Sequence, residues 1–347
     1  MARRCAIGVL GAIGATLGLV AGCPASDGDH TTTAHGRHMT ADHNNDWLVV
    51  PDGASSRELY QQFAGSGQRG ADKARPALSD ARPEVRRNAI VVLTAAIAAD
   101  GVPDYLAALD DDDPFVASEA AAALASYGPA SLSGPENPRA MAALRGHAAA
   151  IRDVLRSPNL TARYNAATAL LAIVDPDVPL ASLLGDEAAL VRSVGLQLAG
   201  RRTLAAADVE ALDRLARHDD DRQLRVRAVN IAGDRAPALA EPMIAAALAR
   251  GDVDRTTSEI VSAHRMTTTI PAIVTLIATH RESGYFLLTL AALGATCALP
   301  AMADPALDPS YATDALRKLS GHPEWTLAQL RAWAAQQPGD APPCTAK

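Results

Sequence analysis

Leu78–Leu93 reads LSDARPEVRRNAIVVL, and thirty-one residues later Leu109–Leu124 reads LDDDDPFVASEAAAAL. Acid, proline, valine, an alanine four residues on and a leucine eight on fall in the same places, so the two stretches are copies of one unit. Taking Val85 as the reference, equivalents recur at Val116, Ala162, Val191 and Leu224, and more faintly at Thr256, Tyr285 and Tyr311. Four residues after these stand Ala89, Ala120, Ala166, Gly195, Ala228, Ile260, Thr289 and Ala315, mostly small. A spacing of four puts both members of each pair on one face of a helix. Small residues there let two helix axes approach closely.

Helix punctuation gives the same register without reference to the apolar pattern. Pro103, Pro179, Pro242, Pro271 and Pro300 precede the reference positions by 11 to 14 residues. That is where a first helix should start, because a missing N–H costs little in the first turn. Gly128, Gly200, Gly233, Gly294 and Gly321 follow them by 9 to 12 residues, where a second helix should end in a left-handed cap. Each unit therefore reads as helix, short acidic turn, helix. A lone pair of this kind cannot cover its own apolar faces, so neighbouring units must stack.

The motif of acid, turn, Val-Arg, two residues, Ala, seen in Asp80 with Val85, Arg86 and Ala89 and again in Asp186 with Val191 and Arg192, resembles HEAT repeats. The variety is the one common in bacterial proteins and shared with the phycobilin-lyase group. The resemblance implies an all-α fold: an α-solenoid of about seven to eight HEAT-like helix pairs over residues 56–322. A C-terminal capping helix and tail would follow over 323–347, with Trp325, Leu330 and Trp333 covering the last apolar face. Alanine-rich, aromatic-poor composition suits such close-packed helices, with only 3% Phe, Trp and Tyr.

The N-terminus is read separately. Arg3 and Arg4 precede an uncharged run from Cys5 to Gly22, the layout of a secretory signal. Val20, Ala21, Gly22 and Cys23 resemble the lipobox of bacterial lipoproteins, which implies cleavage after residue 22 and lipidation of Cys23. Pro24 stands where an inner-membrane retention signal would have Asp, which points to the outer membrane and a periplasm-facing protein. Residues 23–55 read as a disordered tether, polar and without a core. His30, His35, His38 and His43 lie within it. Imidazoles can hold zinc, copper or nickel, but a flexible tract must lose chain entropy to do so, and the reading assigns no metal.

Removing residues 1–22 takes away Arg3 and Arg4 and no acid, moving the formal charge from -7 to -9. An acidic surface with few stacking rings argues against nucleic acid. The chain lacks G-x-S-x-G, H-E-x-x-H, C-x-x-C and P-loop patterns, and its His147, His218, His264, His280 and His322 have no spaced partner. Iron-binding HEAT-like hydroxylases use His-Glu dipeptides, and none occurs here. Asp80 with Arg86, Asp186 with Arg192 and Asp219 with Arg225 are each six apart. Their recurrence marks a structural ladder, since a catalytic group need occur only once. The acid runs Asp110–Asp113 and Asp219–Asp221 belong to the same ladder, as neither is followed by the Gly-shaped loop that calcium requires.

No catalytic residue and no cofactor are therefore expected, and a surface remains. Positions two, three and six after each reference residue should face outward on the second helices, which line the concave side of HEAT arrays. They include Arg87, Asn88, Glu119, Tyr164, Asn165, Gln197, Arg227, Asn230 and Glu259. Amides with mixed charge suit a protein or peptide partner. The expected function is a membrane-anchored, non-catalytic interaction or assembly scaffold, with the oligomeric state left open. The alternatives are a metal-dependent enzyme or metal-binding lipoprotein using the tether histidines, and a structural envelope lipoprotein. The insertion Gly128–Ala140 stretches one interval to 46 residues, as recognition loops do. Finally, with Cys5 lost and Cys23 lipidated, Cys297 and Cys344 are left to form a disulfide in an oxidising compartment.

Overall fold

The computed structural model describes residues 43–49, 56–127, 137–279 and 284–337. Cys23, Cys344, the tether histidines His30, His35 and His38, and most of the 128–140 insertion lie outside the described residues. Among those described there is no strand. A single helix α1 (Ser56–Phe63) precedes a run of helix pairs. The first four units are α2 (Gln68–Ala74) with α3 (Pro83–Ile97), α4 (Val102–Ala108) with α5 (Pro114–Ala125), α6 (Pro138–Gly146) and α7 (Ala148–Val154) with α8 (Leu160–Ala172), and α9 (Leu180–Leu184) with α10 (Ala189–Ala199). Four more follow: α11 (Ala206–His218) with α12 (Arg222–Arg235), α13 (Pro237–Arg250) with α14 (Arg255–Ala263), α15 (Ile270–Thr279) with α16 (Tyr285–Leu293), and α17 (Leu299–Met302) with α18 (Pro309–Ser320). α19 (Leu327–Ala335) closes the array.

The chain is an all-α solenoid. Its second helices pack in series, α3 on α5, α5 on α8, and onward through α10, α12, α14 and α16 to α18. First helices form a parallel layer, α9 on α11, α13, α15 and α17 in turn. The core between the layers is set by the repeat register: Val85, Val116, Ala162, Val191 and Leu224 are all buried, as are Ala89, Ala120, Ala166 and Ala228. At Gly195 the reason for a small residue is explicit, because a Cβ there would lie 2.8 Å from Leu183 Cβ on α9. Acidic or amide caps start the second helices, with Asp113, Asn159 and Asp221 accepting from the first-turn N–H groups of α5, α8 and α12. By length and composition Pro83–Ala108 would suffice to cross a membrane. Here it is broken by a 3-10 turn at Ala98–Gly101, and Val85, Ile90, Val92, Leu93 and Tyr105 are fully buried in the core.

Several sequence expectations shift. Asp254 caps α14, which makes Thr257, fully buried, the reference residue of that unit in place of the exposed Thr256. Pro242 lies inside α13, because Ala236 alone joins α12 to α13 and the helix has already begun at Pro237. Gly233 lies within α12, where a Cβ would come 2.9 Å from both Ile244 and Ile260. Gly294 and Gly321 do end their helices left-handed, at φ 71° and 73°. The long second interval, from Val116 to Ala162, holds two short helices, α6 and α7, where one first helix was expected.

Both ends are covered. α19 lies on α17 and α18, with Leu330 fully buried, the His322 ring stacked 3.9 Å from Trp325, and Trp333 edge-on to Trp325 at 6.4 Å. At the other end, residues 43–49 depart from the disordered tether expected over 23–55. They form a 3-10 turn, His43–Leu48, that packs on α3 with Leu48 fully buried. The physical reason is the apolar pair Trp47-Leu48, half-buried and fully buried, in a stretch whose preceding sequence is mostly polar.

Candidate interaction surface

One arginine recurs immediately after the reference residue. Arg86 Nε and Nη2 reach the Asp111 carboxylate at 2.8 and 2.7 Å, and Arg163 reaches Asp186 at 2.8 and 3.2 Å. Arg192 meets Asp219 at 2.7 and 3.0 Å, and Arg225 meets Asp252 at 3.0 and 2.9 Å. Every rung crosses from one unit to the turn of the next. The expected pairing of carboxylate and arginine six apart is therefore corrected: Asp80, Asp186 and Asp219 give Arg86, Arg192 and Arg225 only their backbone carbonyls, at 2.9, 2.9 and 2.7 Å to Nη1. Six residues back along the same turn brings the carbonyl under the guanidinium, while the fork itself points along the stack. Burial pushes the Asp252 carboxyl up, but hydrogen bonds from Arg225 and Arg250 outweigh it and hold it below the ordinary value. The ladder is a bidentate structural device, and its carboxylates are engaged.

Asp80 begins the series, and among the described residues no earlier helix pair supplies its arginine. Arg82 binds it instead, through Nε at 2.9 Å and Nη2 at 3.1 Å, and Asn45 adds an amide at 3.0 Å. The Arg82 hydrogen bonds hold this carboxyl far below the usual range against the opposing effect of burial.

The nine residues expected to face outward divide by offset. Three residues along a helix is about 300° of rotation, so offset three lies only about 60° from the buried reference position. Asn88 and Asn165, at that offset, are correspondingly buried. Asn88 Nδ2 donates to the Leu48 carbonyl at 2.8 Å, and Asn165 Nδ2 donates to Glu119 Oε2 at 3.3 Å. Glu119, at the same offset, is half-buried, and burial raises its pKa against the pull of Arg87 and Asn165. Arg227 shares the offset but is long enough to extend to solvent, with Nη1 3.4 Å from Ser193 Oγ. Tyr164, at offset two, is exposed, and so is Glu259, which pairs with Arg255 at 3.0 Å. Gln197 is half-buried. Asn230 turns inward to the cap of α14, donating to Asp254 at 3.0 Å and accepting from Thr257 at 2.7 Å. Arg87 is half-buried, and its Nε is enclosed with no hydrogen-bond partner.

The structure thus brings Arg87, Glu119 and Asn165 from three successive second helices into one polar row. Tyr164, Arg227 and Glu259 form the exposed part of the same helical layer. Sequence reasoning missed the docked 43–49 segment, although the apolar Trp47-Leu48-Val49 was its signal. Two cavities open between units, about 190 Å³ against α5, α7 and α8 and about 410 Å³ between α9 and α11. Their walls include Asp111, Asp186, Arg192 and Asp219, groups already held in the ladder. At the first, His147 Nε2 lies 3.3 Å from Asp110 and Nδ1 2.9 Å from the Ala143 carbonyl. Among the described residues no three His, Cys, Asp or Glu side chains gather to hold a metal ion. Cys297 is disulfide-bonded, its partner lying outside the described residues.

Residues 71–150, from α2 into α7, match the family model described as HEAT repeats. Repeats of this family generally mediate protein binding and are typically non-catalytic. No curated protein matches the chain.

Proposed function

We propose that this chain is a non-catalytic protein-binding scaffold of the bacterial envelope, held to the periplasmic face of the outer membrane through lipid on Cys23. The observation that carries the binding reading is the row Arg87, Glu119 and Asn165 beside exposed Tyr164. It offers an enclosed, unpartnered Arg87 N–H, a carboxyl with raised pKa and an aromatic ring on consecutive second helices. Such groups are suited to a peptide backbone and its side chains, and they sit on rigid helices rather than loops. The anchor rests on the sequence Val20-Ala21-Gly22-Cys23 after Arg3 and Arg4. Two experiments test these parts separately. A photo-crosslinker at Tyr164 should give discrete protein adducts in cells, while one at Leu239, exposed on first helix α13, should not; equal labelling from both sites would reject the row as the binding face. The intact chain should partition into detergent and Cys23→Ser should not. A Cys23→Ser chain that stays membrane-bound and normally processed would reject the anchor.

A further inference from the structure

The segment 43–49 is attached to the first unit by contacts that read as peptide recognition. Leu48 is fully buried, and its carbonyl accepts from Asn88 Nδ2 at 2.8 Å. The Trp47 ring is half-buried, tilted against Phe63 at 5.3 Å, with Lys73 Nζ 4.1 Å above its centre. Asp46 pairs with Arg82 at 2.8 Å, and Asn45 donates to buried Asp80 at 3.0 Å. Four consecutive residues therefore each meet a different feature of the fold: an anionic acceptor, a cation, an aromatic–cation slot, and an apolar hole rimmed by an amide. Asn45 also supplies a donor at Asp80, the turn where later units receive the preceding unit's arginine.

We propose that this surface is a peptide-binding site for the sequence Asn-Asp-Trp-Leu, and that residues 43–49 are its resident, releasable occupant. Only one side chain of the occupant is fully buried, and Asp46 is 54% exposed, so its ion pair is screened. Fixing a short 3-10 turn consumes much of what one leucine and one half-buried ring gain. What holds the segment is chiefly its attachment to α1 through residues 50–55, which keeps its local concentration high. Release frees the Asn88 amide, beside Arg87 at the start of the polar row, and uncovers the Leu48 hole. The segment is thus a latch at one end of the second-helix layer. This inference does not depend on the lipid anchor or on the partner of the row.

The test uses the full-length chain and a fluorescein-labelled synthetic peptide of residues 43–49. A Trp47→Ala/Leu48→Ala chain, its latch weakened, should bind the peptide at least about tenfold more tightly than wild type, where the tethered segment competes. A peptide carrying the same two alanines should not bind. Equal binding of native and alanine peptides, or no binding to the latch-weakened chain, overturns the site. Should that variant fail to fold, hydrogen exchange on wild type decides the matter. Amides 45–49 should exchange about a hundredfold faster than those in the middle of α3, and matched rates would make the segment a permanent cap.

Discussion

Arg86→Met tests whether the inter-unit ladder holds the array together. The Arg86 and Asp111 side chains are 6% and 12% exposed, and the guanidinium makes two bonds to that carboxylate and two to the carbonyls of Asp80 and Ala81. Methionine keeps the aliphatic packing but leaves the carboxylate buried without its counter-charge, a loss of about 3–5 kcal/mol in comparable sites. The lower end, about 3 kcal/mol, is expected because Asp111 Oδ1 keeps the Asp113 N–H at 2.9 Å and part of its surface meets water. In a solenoid unfolding as one transition this corresponds to a fall in Tm of about 6–10 °C. Adding Asp111→Asn should recover a large part of the loss, since the amide oxygen still accepts from Asp113 while the unpaired charge is gone. Arg156→Met supplies the control: its pair with Asp153 is as short, 2.7 Å, but 83% and 73% exposed, and should cost below about 0.5 kcal/mol. Urea unfolding followed by far-UV circular dichroism measures all four proteins. If Arg86→Met costs no more than Arg156→Met, or Asp111→Asn brings no recovery, the ladder is ornamental and the reasoning fails.

Glu119→Gln should raise stability near neutral pH. A carboxyl whose folded pKa lies above its ordinary value of about 4.5 contributes stability below that value and loses it as pH rises through the folded pKa, and glutamine abolishes this slope. Asp80, depressed by Arg82, has the opposite sign: its contribution is present above about pH 4 and disappears only in strong acid, so Asp80→Asn should flatten the acid limb of a pH–stability curve. Gly195→Ala should destabilise by about 1–3 kcal/mol in chemical denaturation despite better helix propensity, because α9 blocks the new methyl. Gly146→Ala, where nothing lies within 4 Å, should be neutral or stabilising by up to about 1 kcal/mol. Tryptic peptides mapped without reductant should link Cys297 to Cys344; both cysteines alkylated without reductant would exclude that pairing.

The repeat register was readable because Val85, Val116, Ala162, Val191 and Leu224 each belong to a short, periodic pattern that burial enforces directly. It blurred at Thr256 because adjacent Thr256 and Thr257, followed four residues on by Ile260 and Val261, make two phases nearly equivalent, and only the Asp254 cap separates them. The ladder was visible as recurring Asp and Arg, yet its connectivity was not. Sequence spacing measures distance along one unit, whereas a guanidinium reaches across the stack to the next. For the candidate surface, offset alone misplaced Asn88 and Asn165, whose side chains belong to the helix–helix seam. The 43–49 segment escaped because its neighbours in sequence are polar, while the surface it fits is assembled from Phe63, Lys73, Arg82 and Asn88, scattered across α1, α2, α3 and the turn before α3.

Because each rung joins an arginine to the following unit's aspartate, the array has a grammar as well as a shape. The two units of Asp186 with Arg192 and of Asp219 with Arg225 are interchangeable words: each brings one cation facing forward and one anion facing back, so duplicating or deleting either leaves no orphaned charge, whereas the unit of Asp111 has Ala117 in the arginine's place and that of Arg163 has Ser157 in the aspartate's. That freedom stops after Arg225. At the next interfaces the equivalent position is Ser258, bonded at 2.8 Å to Thr289, and hydroxyls replace ions. A lineage could lengthen or shorten this protein from its middle by copying units, while the last three, written in hydroxyl and aliphatic contacts, can be exchanged only as a block.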